Sequence, residues 1–131
     1  MKPENFVVVD KNDKNIQFKS IDFGSAMNYN LIGDGQISKM TARVGSALYI
    51  SPDVLSGSYD QSCDLWSAGC ILYTMLCGYA PFSGKDVDEI IKNVQRGRLE
   101  FDEYGWGDVS EEAIDLVKSL ICKPKRRLSA A

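Results

Sequence analysis

Asp22-Phe23-Gly24 places a carboxylate where a short apolar stretch gives way to a loop. The tetrapeptide Lys2-Pro3-Glu4-Asn5 precedes it, with Asn5 seventeen positions before Asp22. A carboxylate oxygen is a hard ligand of the kind that Mg²⁺ selects, and a magnesium ion that bridges phosphates is what phosphoryl transfer requires at such a junction. The alternatives are that Asp22 is an ordinary turn residue before Gly24 and that Lys2 is a solvated residue near the terminus.

The elements that must position these residues are a hairpin and a loop. Residues 6–9 form a β-branched run, residues 10–15 are polar and turn-forming, and an apolar pattern resumes in residues 16–21. This order predicts a β-hairpin with a long turn. Residues 25–39 are rich in Asn, Gly, Ser and Asp, which is typical of a mobile loop long enough to have a function.

The rest of the chain has helical patterns. Residues 59–78 are apolar nearly all round, which predicts a helix at the centre of the domain. Residues 83–86 offer a capping signal for a second, amphipathic helix that Gly97 ends, and Ser110 begins a third that Pro124 stops. The predicted fold is therefore mainly α, with a short β-hairpin on a helical bundle that has one central buried helix.

Length and composition fit one compact unit. The chain has 131 residues, of which 44% are apolar, enough to bury a core. Its net charge of −3 gives too weak a field to attract nucleic acid or an anionic membrane. No leader and no apolar run of membrane-spanning length is present, so a cytoplasmic protein without a membrane span is expected. A solvated helix end is the favoured interpretation of the basic cluster Lys123, Lys125, Arg126 and Arg127.

The cysteines predict free thiols in a reducing compartment. Cys63, Cys70, Cys77 and Cys122 are too widely spaced for a Cys-x-x-Cys clamp, and the chain has no histidine. Because three of them recur every seven residues, they would share one helix face, about two turns apart. A disulfide or a metal site is the disfavoured alternative.

Ordered sequence blocks along the whole chain resemble those of protein kinases. One triplet could arise by chance, but five or more in the family's order could not. The blocks are Lys2 to Asn5, Asp22 to Gly24, Gly45 to Asp53, Asp64 to Gly69, Ala80 to Phe82, and Arg127. Within that family the chain is similar to the calcium-dependent and calcium/calmodulin-dependent serine/threonine kinases, as indicated by residues 57–60, residues 78–82 and Gly97.

The resemblance implies that residues 1–131 are part of a kinase catalytic domain. They would form the C-lobe, from the end of the catalytic loop through the helix before the domain's C-terminal end, and the N-lobe is expected to be absent. Members of the family carry a His-Arg-Asp-Leu run where this chain has Met1. The aspartate that orients the attacking hydroxyl is therefore expected to be missing as well.

For the nucleotide, the resemblance implies that Asp22 is the principal magnesium ligand and Asn5 the second. Lys2 is expected to reach the transferred phosphate, and its flexible ammonium suits a moving charge. Val7 would lie on the adenine side of the site. The implied cofactors are ATP and Mg²⁺ in the intact kinase, and neither is expected to bind this fragment tightly.

For the protein substrate, the resemblance implies a second set of residues. Glu4 resembles a carboxylate that some kinases direct at an arginine upstream of the acceptor. Ser46 replaces the family's usual threonine, and its hydroxyl is expected to bond Lys2, which makes Lys2, Asp22 and Ser46 the catalytic set. The segment that contains Ser46 and Tyr49 should receive the residue after the acceptor, although Ser46 alone could be a turn serine.

Other matched residues are expected to be structural. Asp53 should pair with Arg127, although Asp53 has a shorter arm than the family's usual glutamate. Asp64 resembles a buried carboxylate that holds the catalytic loop, and with some partners missing it is expected to be an unpaired buried charge. Trp66 belongs to the same block, and Met75 is expected in the core.

The function implied is that of a fragment of an ATP-dependent protein serine/threonine kinase. The full-length parent would transfer the γ-phosphate of ATP to Ser or Thr of protein substrates. The isolated chain is expected to be inactive, because the missing lobe supplies most of the positioning. The alternatives are a pseudokinase-like or truncated module that acts by binding a protein, and a structural fragment with neither role.

Two modes of regulation stay open: a calcium-sensing segment outside this chain, which the resemblance implies, and phosphorylation of the loop. Residues 10–21 superficially resemble a calcium-binding loop, but the sixth position is Asn15 instead of Gly and the twelfth is Ile21 instead of Glu. No calcium binding is therefore expected here. Ser38 and Thr41 are positions at which phosphorylation would order the loop.

Overall fold

A computed structural model of the chain describes residues 1–10, 16–28 and 39–130. A two-stranded sheet lies near the N-terminus, and helices follow it. The elements are β1 (Phe6–Val8), β2 (Phe18–Ser20), α1 (Pro52–Ser56), α2 (Ser62–Cys77), α3 (Val87–Arg96), α4 (Glu103–Trp106) and α5 (Glu111–Leu120), with 3₁₀ turns at Pro3–Asn5 and Pro124–Arg126.

The predicted β-hairpin is confirmed. β1 and β2 pair antiparallel, with Val7 opposite Lys19. Val7, Val8 and Phe18 are exposed by 41%, 38% and 60%, so β-branched and aromatic side chains of the hairpin face solvent. The predicted turn falls largely on residues 11–15, which lie outside the described residues.

The central helix is α2, and the mainly α fold is confirmed. Trp66, Cys70 and Tyr73 of α2 are buried in the core, and α2 packs against both α5 and α4. The helix ends at Gly78, whose φ of 88° lies in the left-handed region that glycine adopts freely. No helix in the described part of the chain combines the length and apolarity needed to cross a membrane.

Aromatic rings make up much of the core. Trp66 stacks on Phe82 with 5.6 Å between ring centroids and 6° between planes. Tyr73 and Phe101 pack against Trp106 at 4.6 and 4.7 Å. Such tilted and edge-on pairs add attraction beyond the area they bury. Aliphatic residues of the later helices complete the same cluster: Val94, Val117 and Ile121.

Side-chain caps set the starts of α3 and α5 where the sequence predicts them. Asp86 accepts a hydrogen bond from Glu89 N–H at 2.8 Å, and Ser110 accepts one from Ala113 N–H at 3.3 Å. The helix α5 ends at Leu120, upstream of Pro124, and Pro124 begins a 3₁₀ turn. Proline stops a helix upstream of itself because it disfavours helical backbone in the preceding residue.

The prediction that Met75 lies in the core, on a helix buried on every side, is wrong. Its side chain is 74% exposed, whereas Cys70 and Tyr73 on the same helix are almost fully buried. α2 thus has one packed face and one partly exposed face. Apolar composition alone does not separate the two, since surfaces of folded proteins also carry apolar side chains.

Gly69 of α2 faces the end of α5. A Cβ atom at this position would lie 2.7 Å from Ile121 Cγ1 and 2.8 Å from Leu120 Cβ, well inside van der Waals contact. The two helices therefore meet at a distance that only glycine permits.

Gly69→Ala is expected to lower the free energy of unfolding by about 1–3 kcal/mol, because the methyl group overpacks the α2–α5 contact. Urea denaturation followed by circular dichroism measures the change. Met75→Ala, an exposed position on the same helix, serves as the control and should change stability by less than about 0.5 kcal/mol. Equal effects of the two substitutions would contradict the packing described here.

Candidate functional site

A cleft of about 550 Å³ opens between the hairpin and the start of α2, and the segment from residue 40 to α1 forms its third wall. The cleft is the meeting point of most residues that the sequence singled out. Its lining includes Lys2, Asn5, Asp22, Ser46, Tyr49 and Asp64. Residues far apart in the sequence therefore line one cleft.

Asp22 stands after β2 in a left-handed backbone conformation. Its φ is 61°, and within the described ranges no other residue except glycine has a positive φ. Aspartate tolerates this region better than most side chains, yet such conformations cost free energy and concentrate at functional sites. Asp22 Oδ1 accepts a hydrogen bond from Gly24 N–H at 3.1 Å, so Gly24 fixes one carboxylate oxygen.

The backbone brings Asn5 and Lys2 to Asp22. Ile21 N–H donates to the Asn5 carbonyl at 2.8 Å, which extends the hairpin ladder by one step and sets the next residue, Asp22, beside Asn5. Asn5 N–H donates to the Lys2 carbonyl at 3.1 Å and closes a 3₁₀ turn. Lys2 lines the same cleft as Asn5 and Asp22.

The donor chemistry of this corner fits a magnesium ion that carries a nucleotide. Asp22 offers a carboxylate and Asn5 an amide oxygen, both of them hard donors. Magnesium commonly takes one or two protein ligands and completes its shell with phosphate and water. In the ranges that the structure describes, Cys, Asp and Glu side chains form no cluster of three or more that could hold a metal.

The opposite wall is the segment that contains Ser46 and Tyr49. The Ser46 carbonyl accepts hydrogen bonds from Tyr49 N–H at 2.9 Å and from Ile50 N–H at 3.0 Å, which form a tight turn. Ser67 Oγ of α2 donates to the Tyr49 carbonyl at 2.8 Å. Burial raises the pKa of the Tyr49 phenol, and the negative charge of Glu4 raises it further. The segment is thus anchored to α2 and lies within electrostatic reach of Glu4.

Val7 and Glu4 lie outside the lining of this cleft. Val7 belongs to β1 and is 41% exposed, and Glu4 is exposed on the 3₁₀ turn. Of the residues expected at the nucleotide, the described structure therefore groups Lys2, Asn5 and Asp22 but leaves Val7 on the outer hairpin.

The prediction that Asp64 is a buried, unpaired charge is wrong. Its side chain is 57% exposed, and its Oδ1 lies 3.6 Å from the Met1 ammonium. Asp64 sits in the first turn of α2, where the helix dipole favours a negative charge, and it faces the open cleft. Solvent and the helix terminus stabilise this carboxylate without a buried partner.

The expected pair between Asp53 and Arg127 is present. The aspartate side chain is long enough to reach Arg127, although the family's usual residue is glutamate. Arg127 Nη1 donates to Asp53 Oδ2 at 2.8 Å and to the Ser62 carbonyl at 2.9 Å. Its Nη2 donates to the Cys122 carbonyl at 2.8 Å. The Arg127 side chain is fully buried, and its guanidinium lies 5.3 Å from the centre of the Trp66 ring.

Two thiols of α2 differ in burial: Cys63 is half-buried and Cys70 is fully buried. Burial raises the pKa of Cys63 to about 11, with the Asp64 carboxylate as the next cause. Burial also raises the pKa of Cys70 to about 12. Because the thiolate is the reactive species, both thiols are weak nucleophiles near neutral pH. All four cysteines of the chain are free thiols.

The contacts that hold the loop wall near Met40 were not predicted from the sequence. Met40 forms an antiparallel bridge with Tyr59, and Lys39 forms an ion pair with Asp60. Tyr59 and Asp60 belong to the block at residues 57–60, from which the sequence indicated only a subgroup of the resembled family. Thr41 is exposed on this wall, whereas Ser38 and most of the predicted mobile loop, residues 29–38, lie outside the described residues.

Comparison with known proteins decides the family. The model of the protein kinase domain matches residues 1–131, the whole chain. The chain belongs to the protein kinase domain family. The resemblance inferred from the sequence blocks is thereby confirmed.

Curated relatives point to one group of this family. The chain is 44% identical over 118 residues to calcium-dependent protein kinase 3 of Plasmodium berghei (strain Anka), a match that covers 90% of this chain and 20% of the relative. It is 43% identical over 121 residues to calcium-dependent protein kinase 5 of Plasmodium falciparum (isolate 3D7), covering 89% and 20%. The chain therefore spans about a fifth of the length of these relatives.

Asp53→Ala is expected to lower the free energy of unfolding by about 3–5 kcal/mol, because it leaves the buried Arg127 guanidinium without its counter-charge. Urea denaturation measures the loss. Asp115→Ala removes an exposed carboxylate from α5 and should leave stability within about 0.5 kcal/mol of the parent chain. A loss below about 1 kcal/mol for Asp53→Ala would mean that the pair does not hold these helices together.

Cys63 and Cys70 are expected to react with iodoacetamide at pH 8 more slowly in the folded chain than in urea, because their raised pKa values suppress the thiolate. Peptide mass spectrometry gives the rate at each thiol. Asp64→Asn should accelerate the reaction of Cys63, since it removes a charge that raises the pKa of this thiol. Cys70, whose pKa is not raised by Asp64, is the internal control. Equal acceleration of both thiols would indicate general loosening of α2.

Proposed function

We propose that this chain is the phosphate-transfer half of a protein serine/threonine kinase catalytic domain. The observation that carries the proposal is that Lys2, Asn5, Asp22, Ser46 and Tyr49 all line one cleft. Membership of the protein kinase domain family supports the same reaction class. The chemistry would be transfer of the γ-phosphate of ATP to a hydroxyl of a protein substrate.

In this proposal Asp22 and Asn5 hold Mg²⁺, with Asp22 as the principal ligand. The ion, when bound, neutralises charge on the phosphates as they react. Asp22 is held ready by its left-handed backbone and by Gly24 N–H, so its carboxylate is oriented before any ligand arrives. Lys2 places a positive charge at the same corner, where it stabilises charge on the transferred phosphate.

Ser46 and Tyr49 form the proposed acceptor side. Lys2 is proposed to contact both the phosphate and the acceptor hydroxyl, the arrangement that favours Ser or Thr as substrate. The bond from Ser67 to Tyr49 fixes the wall against which the residue after the acceptor would lie. Glu4, whose charge reaches Tyr49, favours a basic residue upstream of the acceptor.

We further propose that residues 1–131 are the C-lobe and that the isolated chain does not transfer phosphate. The sequence contains no histidine and hence no His-Arg-Asp run to supply a general base. The exposed Val7, Val8 and Phe18 of the hairpin support the presence of a second lobe over this surface in the parent protein. Such a lobe would supply the adenine site and the clamp on the nucleotide, and Val7 would then face the adenine.

The names of the curated relatives suggest how the parent protein is controlled. Both relatives described above are called calcium-dependent protein kinases, and this chain corresponds to about a fifth of each. We propose that a calcium-sensing segment outside the chain regulates the parent kinase. The competing function is a pseudokinase-like module that binds a protein partner, and the same exposed apolar hairpin would serve it.

Magnesium-ADP is expected to bind the chain weakly, in the millimolar range, and to shift the amide resonances of Asn5 and Asp22 in a ¹H–¹⁵N NMR titration. Asp22→Ala should abolish these shifts because it removes the principal ligand, and Asp115→Ala, at an exposed position on α5, should retain them. The absence of local shifts in the unmodified chain at saturating nucleotide would reject the phosphate site and favour the protein-binding module.

Phosphate transfer from radiolabelled ATP to a basic serine peptide is expected to stay at the level of the Asp22→Ala variant, because positioning by a second lobe is missing. A peptide blot or scintillation count measures the transfer. Incorporation that depends on Asp22 would contradict the proposed inactivity of the isolated chain while supporting the site itself.

A further inference from the structure

The loop wall of the cleft is joined to the start of α2 by a short pairing of backbones. Met40 N–H donates to the Tyr59 carbonyl at 2.8 Å, and Tyr59 N–H donates to the Met40 carbonyl at 3.1 Å. This isolated antiparallel bridge holds the loop at a single residue. Side chains on both sides of the bridge add further contacts.

Asp60 joins the loop to α2 through both of its carboxylate oxygens. Oδ2 pairs with Lys39 Nζ, and Oδ1 accepts hydrogen bonds from Ser62 N–H at 3.0 Å and Ser62 Oγ at 2.6 Å. Burial alone would raise the pKa of Asp60, but the bonds from Lys39 and Ser62 outweigh it and lower the pKa to about 2. Asp60 is therefore ionised at neutral pH, with each oxygen committed to one side of the junction.

Tyr59 adds a third tie from a buried position. Its side chain is 5% exposed, and its hydroxyl donates to the Ala42 carbonyl at 2.7 Å. Met27 Sδ lies 3.8 Å from the same hydroxyl, so the ring also contacts the segment that follows Gly24. One tyrosine thus touches residues on two walls of the cleft.

We propose that Lys39, Tyr59 and Asp60 are positioning residues that clamp the loop wall and thereby fix the segment that contains Ser46 and Tyr49. This clamp consists of Lys39, Tyr59 and Asp60 together with the backbone of Met40. It holds the N-terminal end of that segment. Ser67 holds its C-terminal end through the Tyr49 carbonyl. Both anchors belong to α2 or to the residues directly before it, so the central helix restrains the wall.

The effect of the clamp on substrate binding rests on the function proposed above. The contacts that form the clamp do not depend on that function. Without the clamp, the hydrogen bond from Ser67 to the Tyr49 carbonyl still ties the segment to α2. Gly45 lies between the two anchors with a φ of 136°, a conformation open to glycine. Loss of the clamp should therefore disorder residues 44–50 without unfolding the helical core. Affinity for an acceptor peptide should fall as a result.

Hydrogen exchange of the whole chain, read by mass spectrometry, tests the clamp. Lys39→Met and Asp60→Asn are each expected to speed exchange in residues 40–50 by about two- to fivefold, the range for a partly exposed ion pair. Asp60→Asn keeps an oxygen that can accept the hydrogen bonds from Ser62 at the start of α2. The double variant should be no faster than either single variant, because the two residues form one interaction.

Matched controls separate the clamp from general destabilisation. Lys92→Met removes an exposed charge from α3 and should leave exchange in residues 40–50 unchanged, while Lys39→Arg should restore the protection. Amides of α5 provide the global reference. Additive effects of the two substitutions, or an equal rise of exchange in α5, would overturn the clamp.

Binding of a basic serine peptide, followed by NMR at Tyr49, tests the positioning role. Lys39→Met should weaken binding by about the same factor as it speeds exchange, with the melting temperature unchanged, and Lys39→Arg should restore it. Unchanged affinity together with faster exchange would overturn the positioning role. If no variant binds the peptide, the proposed acceptor site fails, and the exchange data alone decide the clamp.

Discussion

The buried guanidinium of Arg127 is the constraint on which the arrangement of this chain depends. A charge removed from water needs a counter-charge and a full set of acceptors, and Arg127 finds them in Asp53 after the cleft wall, in Ser62 at the start of α2 and in Cys122 after α5. Trp66 covers the guanidinium from the core. Because the acceptors come from three parts of the chain, satisfying one side chain fixes how α1, α2 and α5 meet.

The site depends on that junction. Ser51 caps α1 and is almost fully buried, so the segment before it leaves the junction in a fixed direction and delivers Ser46 and Tyr49 to the cleft. The opposite wall has a different character. The hairpin next to Asn5 and Asp22 exposes its apolar residues. Its two strands are held together by backbone hydrogen bonds instead of a packed core. The cleft therefore has one rigid wall built on α2 and one wall suited to completion by another part of the parent protein.

Features governed by local chemistry could be predicted from the sequence. The caps at Asp86 and Ser110 and the hairpin follow from short patterns, and the meeting of Asp53 with Arg127, 74 positions apart, came from matching the motif blocks of a known family. Features governed by the tertiary environment could not. Asp64 and Met75 were expected to be buried, but sequence type does not say which side of a helix faces an open cleft or solvent. The clamp at Lys39 and Asp60 was missed because a surface ion pair between a loop and a helix start leaves no periodic signal.

Anomalous diffraction from a crystal of the chain soaked with Mn²⁺ and ADP would show whether Asp22 and Asn5 hold the metal, since manganese substitutes for magnesium and reports its own position. One manganese peak is expected about 2 Å from a carboxylate oxygen of Asp22, with the Asn5 amide oxygen and the nucleotide phosphates in the same shell. Bound nucleotide and metal at another surface, with Asp22 and Asn5 free of both, would contradict this expectation.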